Sequence, residues 1–257
     1  MVTFPMCTPR GRNAALSLAL ASLMTSTTAF AQQPAAPAPP PPWEGTAGVG
    51  FSLTSGNSDT VAYNLAFDVT RRPKTRNVMK WTGLYLRGER DGDPIVNRTS
   101  LGYRDEYTLS GRTFVFGQID YLRDTFKLID YLVAPTAGVG FKVINTDTTQ
   151  FSVDGGAGGV WEKNPSLDVR ASGALIASER LTHKLTSTAS IKHAITGLWK
   201  TADFADGLYT FSVGFGAKIS ERVQFSIDLL DTLKNQPPTA ATKKNDVALV
   251  TGVTAKF

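Results

Sequence analysis

From Trp43 to Phe257 the chain alternates apolar and polar side chains with a period of two, and it does so to its last residue. Successive side chains of an extended strand point to opposite faces, so this period gives each segment one apolar face and one small or polar face. Trp43, Gly45, Ala47, Val49, Phe51 and Leu53 alternate with Glu44, Thr46, Gly48, Gly50, Ser52 and Thr54. A turn at Gly56-Asn57-Ser58-Asp59 follows. Val61, Tyr63, Leu65, Phe67 and Val69 then alternate with Thr60, Ala62, Asn64, Ala66 and Asp68. The two segments read as a β-hairpin.

The pattern recurs. Phe151, Val153, Ala157 and Trp161 oppose Gln150, Ser152 and Asp154, and Leu167, Val169, Ala171 and Leu175 oppose Asp168, Arg170 and Ser172. Tyr209, Phe211, Val213, Phe215 and Ile219 oppose Thr210, Ser212 and Lys218, and Val223, Phe225, Ile227 and Leu229 oppose Gln224, Ser226 and Asp228. Turn signals at Arg71 to Arg76, Ser110-Gly111, Asn145 to Asp147, Lys163-Asn164-Pro165 and Ser220-Glu221 separate the segments. About twelve segments result, each meeting the roughly 9–11 residues of a tilted membrane strand. Asn77 to Glu89 alternates poorly, and Ser178 to Lys184 is a candidate bulge. Asp105 shares the parity of Leu101, Tyr103 and Tyr107, which calls either for a bulge that turns it inward or for a place near an interface.

Ahead of this region stand two segments of another kind. Residues 1–31 have the parts of a secretory leader: basic Arg10 and Arg12, the apolar run Ala14 to Met24, and Ala29-Phe30-Ala31 as a cleavage site, giving an expected cut after Ala31. Residues 32–42 are a Pro/Ala-rich tether, in which proline fixes φ and offers no N–H, so an extended unpaired spacer is expected. Cys7, the only cysteine, precedes the apolar run of the leader. That is the wrong side for a lipid anchor, and it leaves the exported part without a disulfide.

The hydrophobic fraction is 42%, and no apolar run nears the roughly 20 residues of a membrane helix. Two possibilities remain, a soluble β-protein or a barrel, whose membrane signal is alternation and not mean hydropathy. Without Arg10 and Arg12 the 27 basic residues fall to 25 against 22 acidic, a net charge of +3. The basic residues are spread along the chain, so nucleic acid is not expected as a partner.

A β-sandwich also alternates. Three features favour an all-β, antiparallel, up-and-down transmembrane barrel over residues 43–257. The alternation runs to the end with no helix between, bulky apolar residues oppose small or charged ones, and Trp43, Tyr131, Trp161, Trp199 and Tyr209 stand near strand ends, where membrane girdles sit. Lipid cannot satisfy N–H and C=O groups, so a spanning sheet has to close on itself. Leu249, Thr251, Val253, Ala255 and Phe257 alternate to a terminal phenylalanine. This resembles the C-terminal signature of bacterial outer-membrane proteins, which implies the barrel assembly machinery as a partner and Leu249, Val253 and Phe257 as its signal. A soluble or envelope-associated periplasmic β-protein that binds or anchors is the alternative.

Tyr103-Arg104-Asp105-Glu106-Tyr107, Phe114 to Phe126 (FVFGQIDYLRDTF) and Ala137 to Phe141 (AGVGF) resemble the YdiY-like salt-induced outer membrane proteins, a domain family of unknown function. The block Trp43 to Asn57 and the terminal Phe257 fit as well, so the resemblance spans Trp43 to Phe257. It implies a barrel in outer-membrane lipid and a link to salt or osmotic response, and it supplies no substrate or catalytic site.

Little in the chain speaks for chemistry. His183 and His193 are its only histidines; Leu185 and Ile195 stand two residues after them, so neither strand offers a His-x-Ser pair. No spacing of His, Asp or Glu suggests a metal, and Glu89 to Asp93 (ERDGD) lacks the calcium-loop pattern. No enzyme and no cofactor is expected. The charged residues of inward parity are Lys80, Arg104, Glu106, Asp120, Asp154, Arg170, Lys192, Lys218 and Asp228. They carry both signs and are expected to pair in the interior, partly filling it. Eight strands give a packed interior and sixteen or more a channel, so twelve leave a narrow pore or a structural barrel of the envelope, with the solute unspecified.

Overall fold

The computed structural model describes residues 42–54, 60–73, 75–240 and 242–256. The leader, tether residues 32–41, the turn at Gly56 to Asp59 and Phe257 lie outside the described residues. Twelve antiparallel strands make up the barrel: β1 Trp43–Thr54, β2 Thr60–Arg71, β3 Asn77–Arg90, β4 Asp93–Thr108, β5 Thr113–Asp124, β6 Ile129–Asn145, β7 Thr149–Lys163, β8 Arg170–Lys184, β9 Ala189–Lys200, β10 Asp203–Lys218, β11 Val223–Lys234 and β12 Asn245–Lys256. Each pairs with its sequence neighbour, and β1 pairs with β12, closing the sheet. Closure removes the free edges that an open sheet exposes. The even count brings the start of β1 and the end of β12 to one end of the cylinder, here termed the proximal end.

Register keeps one parity per face throughout. Along β2, Val61, Tyr63, Leu65 and Phe67 are exposed on the outer wall while Ala62, Asn64 and Ala66 are half-buried within. Even-numbered residues pair with even-numbered ones through almost the whole sheet, as in Lys80↔Arg104 and Arg104↔Gln118. Register shifts interrupt the ladder at Gly88/Glu89, Leu122/Asp124, Lys142/Ile144 and Asp203/Gly207.

Several expectations change. Asn77–Arg90 is a regular strand; its alternation is blurred because the inward-facing Leu84 and Leu86 are apolar. Ser178 to Lys184 holds no bulge, since β8 keeps an unbroken register with β7 and β9. Asp105 is not turned inward: it stays in register with Met79 and Gly117, and Asn77 Nδ2 donates to both its carboxylate oxygens at 3.1 Å near the proximal end. Leu167 and Val169 precede β8, and Ile219 follows β10.

Four proximal turns share a device that periodicity does not reveal. The hydroxyls of Ser110, Thr146, Thr186 and Ser220 accept from the backbone N–H groups of Thr113, Thr149, Ala189 and Val223 at 2.9–3.2 Å. Ser and Thr do this wherever a short turn leaves a donor without a ladder partner. The outer wall carries aromatic groups toward both rims. Trp81 stands 6.0 Å from Trp43 and 5.5 Å from Tyr103, ring to ring, and Trp199 Nε1 donates to Tyr209 Oη at 2.8 Å.

Candidate functional site

The interior holds two layers of charge with an apolar layer between them. The proximal layer is centred on Arg104 of β4. Its Nε donates to Glu106 at 2.7 Å and its Nη2 to Asp154 at 3.0 Å, and Nη1 donates to Gln118. The guanidinium also lies 3.8 Å from the Phe116 ring centroid, a cation–π contact. Lys80 bonds Glu106 at 3.0 Å, Arg180 bonds Asp154, and Gln118 Nε2 donates to Asp120 at 2.6 Å. Asp154 stands on β7, which shares no ladder with β4, so the Arg104–Asp154 bond is a chord through the interior.

The distal layer lies at the opposite end. Glu162 of β7 receives Lys200 of β9 at 2.6 Å and Lys234 of β11 at 3.0 Å on one oxygen, while Asn164 Nδ2 donates to the other at 2.9 Å. Asp206 of β10 accepts from Lys200 at 2.5 Å and from Lys234 at 3.3 Å, completing a four-membered ionic ring. Glu162 and Lys234 are essentially inaccessible to solvent, at 0% and 1%. A buried charge survives only if paired and hydrogen-bonded, and here each carboxylate has at least two donors.

Beside this ring the β5–β6 connection folds across the distal mouth. Asp124 caps the 3-10 turn Thr125–Lys127 by accepting from the backbone N–H of Phe126 and Lys127, and Leu128 adopts left-handed φ of 55°. The turn carries the fully buried Lys127 to Asp246 at the start of β12, at 2.9 Å, and to the carbonyl of Lys244 just before that strand, at 2.9 Å. In sheet order β12 stands opposite β5 and β6, so this bond crosses the mouth. Asn164 Nδ2 donates to Leu128 O at 2.7 Å, and Arg98 of β4 bonds Thr232 of β11, a further chord.

Of the sequence-predicted candidates, Lys80, Arg104, Glu106, Asp120 and Asp154 meet in the proximal layer. Arg170 is on the distal rim, where Nη2 donates to Asn164 Oδ1 at 2.8 Å. Lys192, Lys218 and Asp228 have the inward parity but join neither layer; the Asp228 carboxylate lies over Gly214. The distal layer leaves no signature in the sequence pattern. Glu162, Lys200 and Lys234 share the inward parity, but their strands are far apart in sequence and nothing local marks them as partners.

A second correction concerns the inner face, expected to be small or polar. Phe114, Phe116, Leu122, Leu132, Ala134, Val160, Ala174, Ile176 and Leu198 share the parity of Arg104 and form a buried apolar cluster against β5 to β9. Filling the bore at this width takes bulky side chains, so alternation there contrasts apolar with apolar. The opposite inner wall is lined by small residues such as Gly48, Ala62, Ala66 and Gly252. His193 lies on the outer wall, 3.6 Å from Glu179, and His183 Nδ1 is 2.8 Å from Thr149 Oγ1 near the proximal end of β8. Among the described residues no group of three or more His, Cys, Asp or Glu is placed to hold a metal ion.

A closed, even-stranded antiparallel barrel, apolar outside and ion-paired inside, has the architecture of membrane-spanning β-barrels. The chain belongs to the family described as "Protein of unknown function, DUF481", whose model matches residues 47–257. Solved structures of similar fold include an outer membrane channel from Pseudomonas putida F1, 11% identical over 84% of this chain and 95% of that one, TM-score 0.50. The NanC porin is 10% identical, with 83% and 96% coverage and a TM-score of 0.46. The translocator domain of the autotransporter NalP from Neisseria meningitidis is 11% identical, with 86% and 90% coverage and a TM-score of 0.47. At these identities the likeness is one of fold. Comparison with curated protein sequences gives no match.

Proposed function

We propose that the chain is a bacterial outer-membrane barrel, exported on residues 1–31 and inserted with its proximal end toward the periplasm. In this reading it is a narrow solute conduit, not an enzyme, that rests with its distal mouth shut. The observation that carries it is the ionic ring of Glu162, Lys200, Asp206 and Lys234 beside the Lys127–Asp246 chord. Among the described residues these bonds tie β7, β9, β10 and β11 together and cross from the β5–β6 turn to β12 at the distal end. Phe257, Val253 and Leu249 serve as the signal for the assembly machinery, and the apolar outer wall faces lipid.

The salt and osmotic setting implied by the family resemblance fits a mouth held by buried pairs. Salt screens exposed charges within about 10 Å at 0.1 M but acts far less on buried ones. A buried ring therefore stays closed as ionic strength changes, and opening requires the side chains to move.

Planar-bilayer recording tests the reading. The wild type is expected to be nearly silent, and the double variant Glu162→Gln/Lys234→Met to show steady openings. Steady large openings of the wild type contradict the closed mouth, and silence of both leaves the purely structural barrel as the better account.

A further inference from the structure

The wall is weakest where the chain closes on itself. Among the described residues β1 and β12 pair only at Thr46↔Lys256, Ala47↔Ala255, Gly48↔Thr254 and Val49↔Val253. β1 and β2, by contrast, pair along their whole length, from Trp43↔Arg71 to Thr54↔Thr60. Beyond Val49 the β12 ladder stops, although Gly50 and Phe51 continue β1, and Val250, Thr251 and Gly252 continue β12. At that point Asn64 Nδ2 reaches from β2 past β1 to donate to the Thr251 carbonyl at 3.3 Å. A side-chain amide replaces the backbone donor that a zipped joint would supply. In hydrocarbon an unpaired peptide group is costly, which makes such a break in the ladder of a spanning wall a meaningful feature.

Three further observations bear on this stretch. The strands approach closely there without laddering past Val49↔Val253: a Cβ on Gly50 would run into Thr251 O and the Asn64 amide, so it is the absence of a side chain that lets the backbones lie together. Outside, next to this stretch, a concavity of about 620 Å³ lies over the paired section of the joint, lined by Ala47, Val49, Leu65, Phe67, Val253 and Ala255 among others. Inside, the small Ala62 and Ala66 face the bore on this flank, while the distal mouth is crossed by ionic chords. An apolar cavity without polar partners does not hold water, and on a lipid-facing wall the available filling is hydrocarbon.

We propose that the β1–β12 joint is a lateral portal through which a molecule with a hydrocarbon chain passes between the bilayer and the bore. The outer groove seats the chain, and the joint parts beyond Val49↔Val253 to admit it. The proposal rests on the membrane-spanning reading above but not on axial conduction.

The test uses the full chain with Cys7→Ser, in phosphatidylcholine vesicles. Phe51→Cys and Thr251→Cys, which the register of the zipped section would set opposite each other, form a disulfide across the unladdered stretch. Ala62→Cys, labelled with bimane after the disulfide has formed, reports from the inner wall, and a stearate carrying a doxyl nitroxide is the probe. Quenching is expected to be lost in the stapled protein and to return on reduction, with or without Glu162→Gln. Equal quenching before and after reduction overturns the portal. Failure of the protein to float with the vesicles overturns the membrane-spanning reading instead, and a silent Glu162→Gln/Lys234→Met bilayer recording overturns only the conduit.

Discussion

Lys234 Nζ lies 3.0 Å from Glu162 Oε2, although the residues are 72 apart in sequence and stand on strands that share no ladder. The bond spans the bore, and both groups are sealed from solvent. A pair of this kind is worth little against an apolar replacement of both partners, but removing one partner strands a buried charge.

Lys234→Met is therefore expected to destabilise the barrel by about 3–5 kcal/mol. Glu162→Met/Lys234→Met should cost clearly less, because Lys200 and Asp206 remain paired at 2.5 Å. The loss of heat-modifiable migration in detergent gels, followed against temperature, gives the order of the variants. A double variant as unstable as Lys234→Met contradicts the assignment of the cost to an uncompensated charge.

Arg104 makes a different prediction. Its fork serves Glu106, Gln118 and Asp154 together while its face stacks on Phe116. Arg104→Lys keeps the charge but has no planar fork, so it cannot hold three acceptors or stack. Lower thermal stability than wild type in detergent is expected despite the unchanged charge; a wild-type melting profile would show that charge alone suffices.

Glycines on β5 and β6 separate structural need from tolerance. A Cβ on Gly138 would stand 2.6 Å from the Gly156 Cα, backbone against backbone, whereas one on Gly117 meets nothing within 4 Å. Gly138→Ala should force the strands apart and cost about 1–3 kcal/mol, as overpacking does. Gly117→Ala should be neutral or stabilise by a few tenths to about 1 kcal/mol through the unfolded chain. Denaturant midpoints in detergent compare them directly, and equal midpoints would contradict the strand spacing described.

These contrasts show which parts of the molecule were legible in its sequence. The strands and their outward faces were, because Val61, Tyr63, Leu65 and Phe67 meet one environment and period two follows from it. The inner face was legible only where it is polar: Arg104 and Asp154 stood out by charge, while Phe114, Phe116, Leu84 and Leu86 were hidden because packing a bore wants bulk just as lipid does. The distal ring was invisible for another reason. Whether Glu162 meets Lys234 depends on the stagger of strands accumulated around the cylinder, which no local pattern carries. The mouth-crossing turn left one trace, Asp124 followed by Lys127, and nothing in it announced the left-handed Leu128.

One substitution pair probes the wall itself. Leu65→Lys puts a charge on the outer face and is expected to cost about 2–4 kcal/mol near mid-bilayer, with loss of insertion into vesicles. Asn64→Lys, one residue away, enters the bore, loses only its bond to Thr251 and should insert normally. Flotation with vesicles distinguishes them, and equal behaviour would contradict the assignment of faces.

A nitroxide scan along β2 in lipid vesicles decides whether the chain is a membrane-spanning cylinder with one parity outward. Labels at Val61, Tyr63, Leu65, Phe67 and Val69 should be accessible to dissolved oxygen and shielded from a water-soluble nickel chelate. Labels at Ala62, Asn64, Ala66 and Asp68 should lose the oxygen response, giving an oscillation with a period of two. Uniform accessibility to the nickel chelate at all nine positions, or a chain that stays monodisperse in buffer without lipid or detergent, would contradict it.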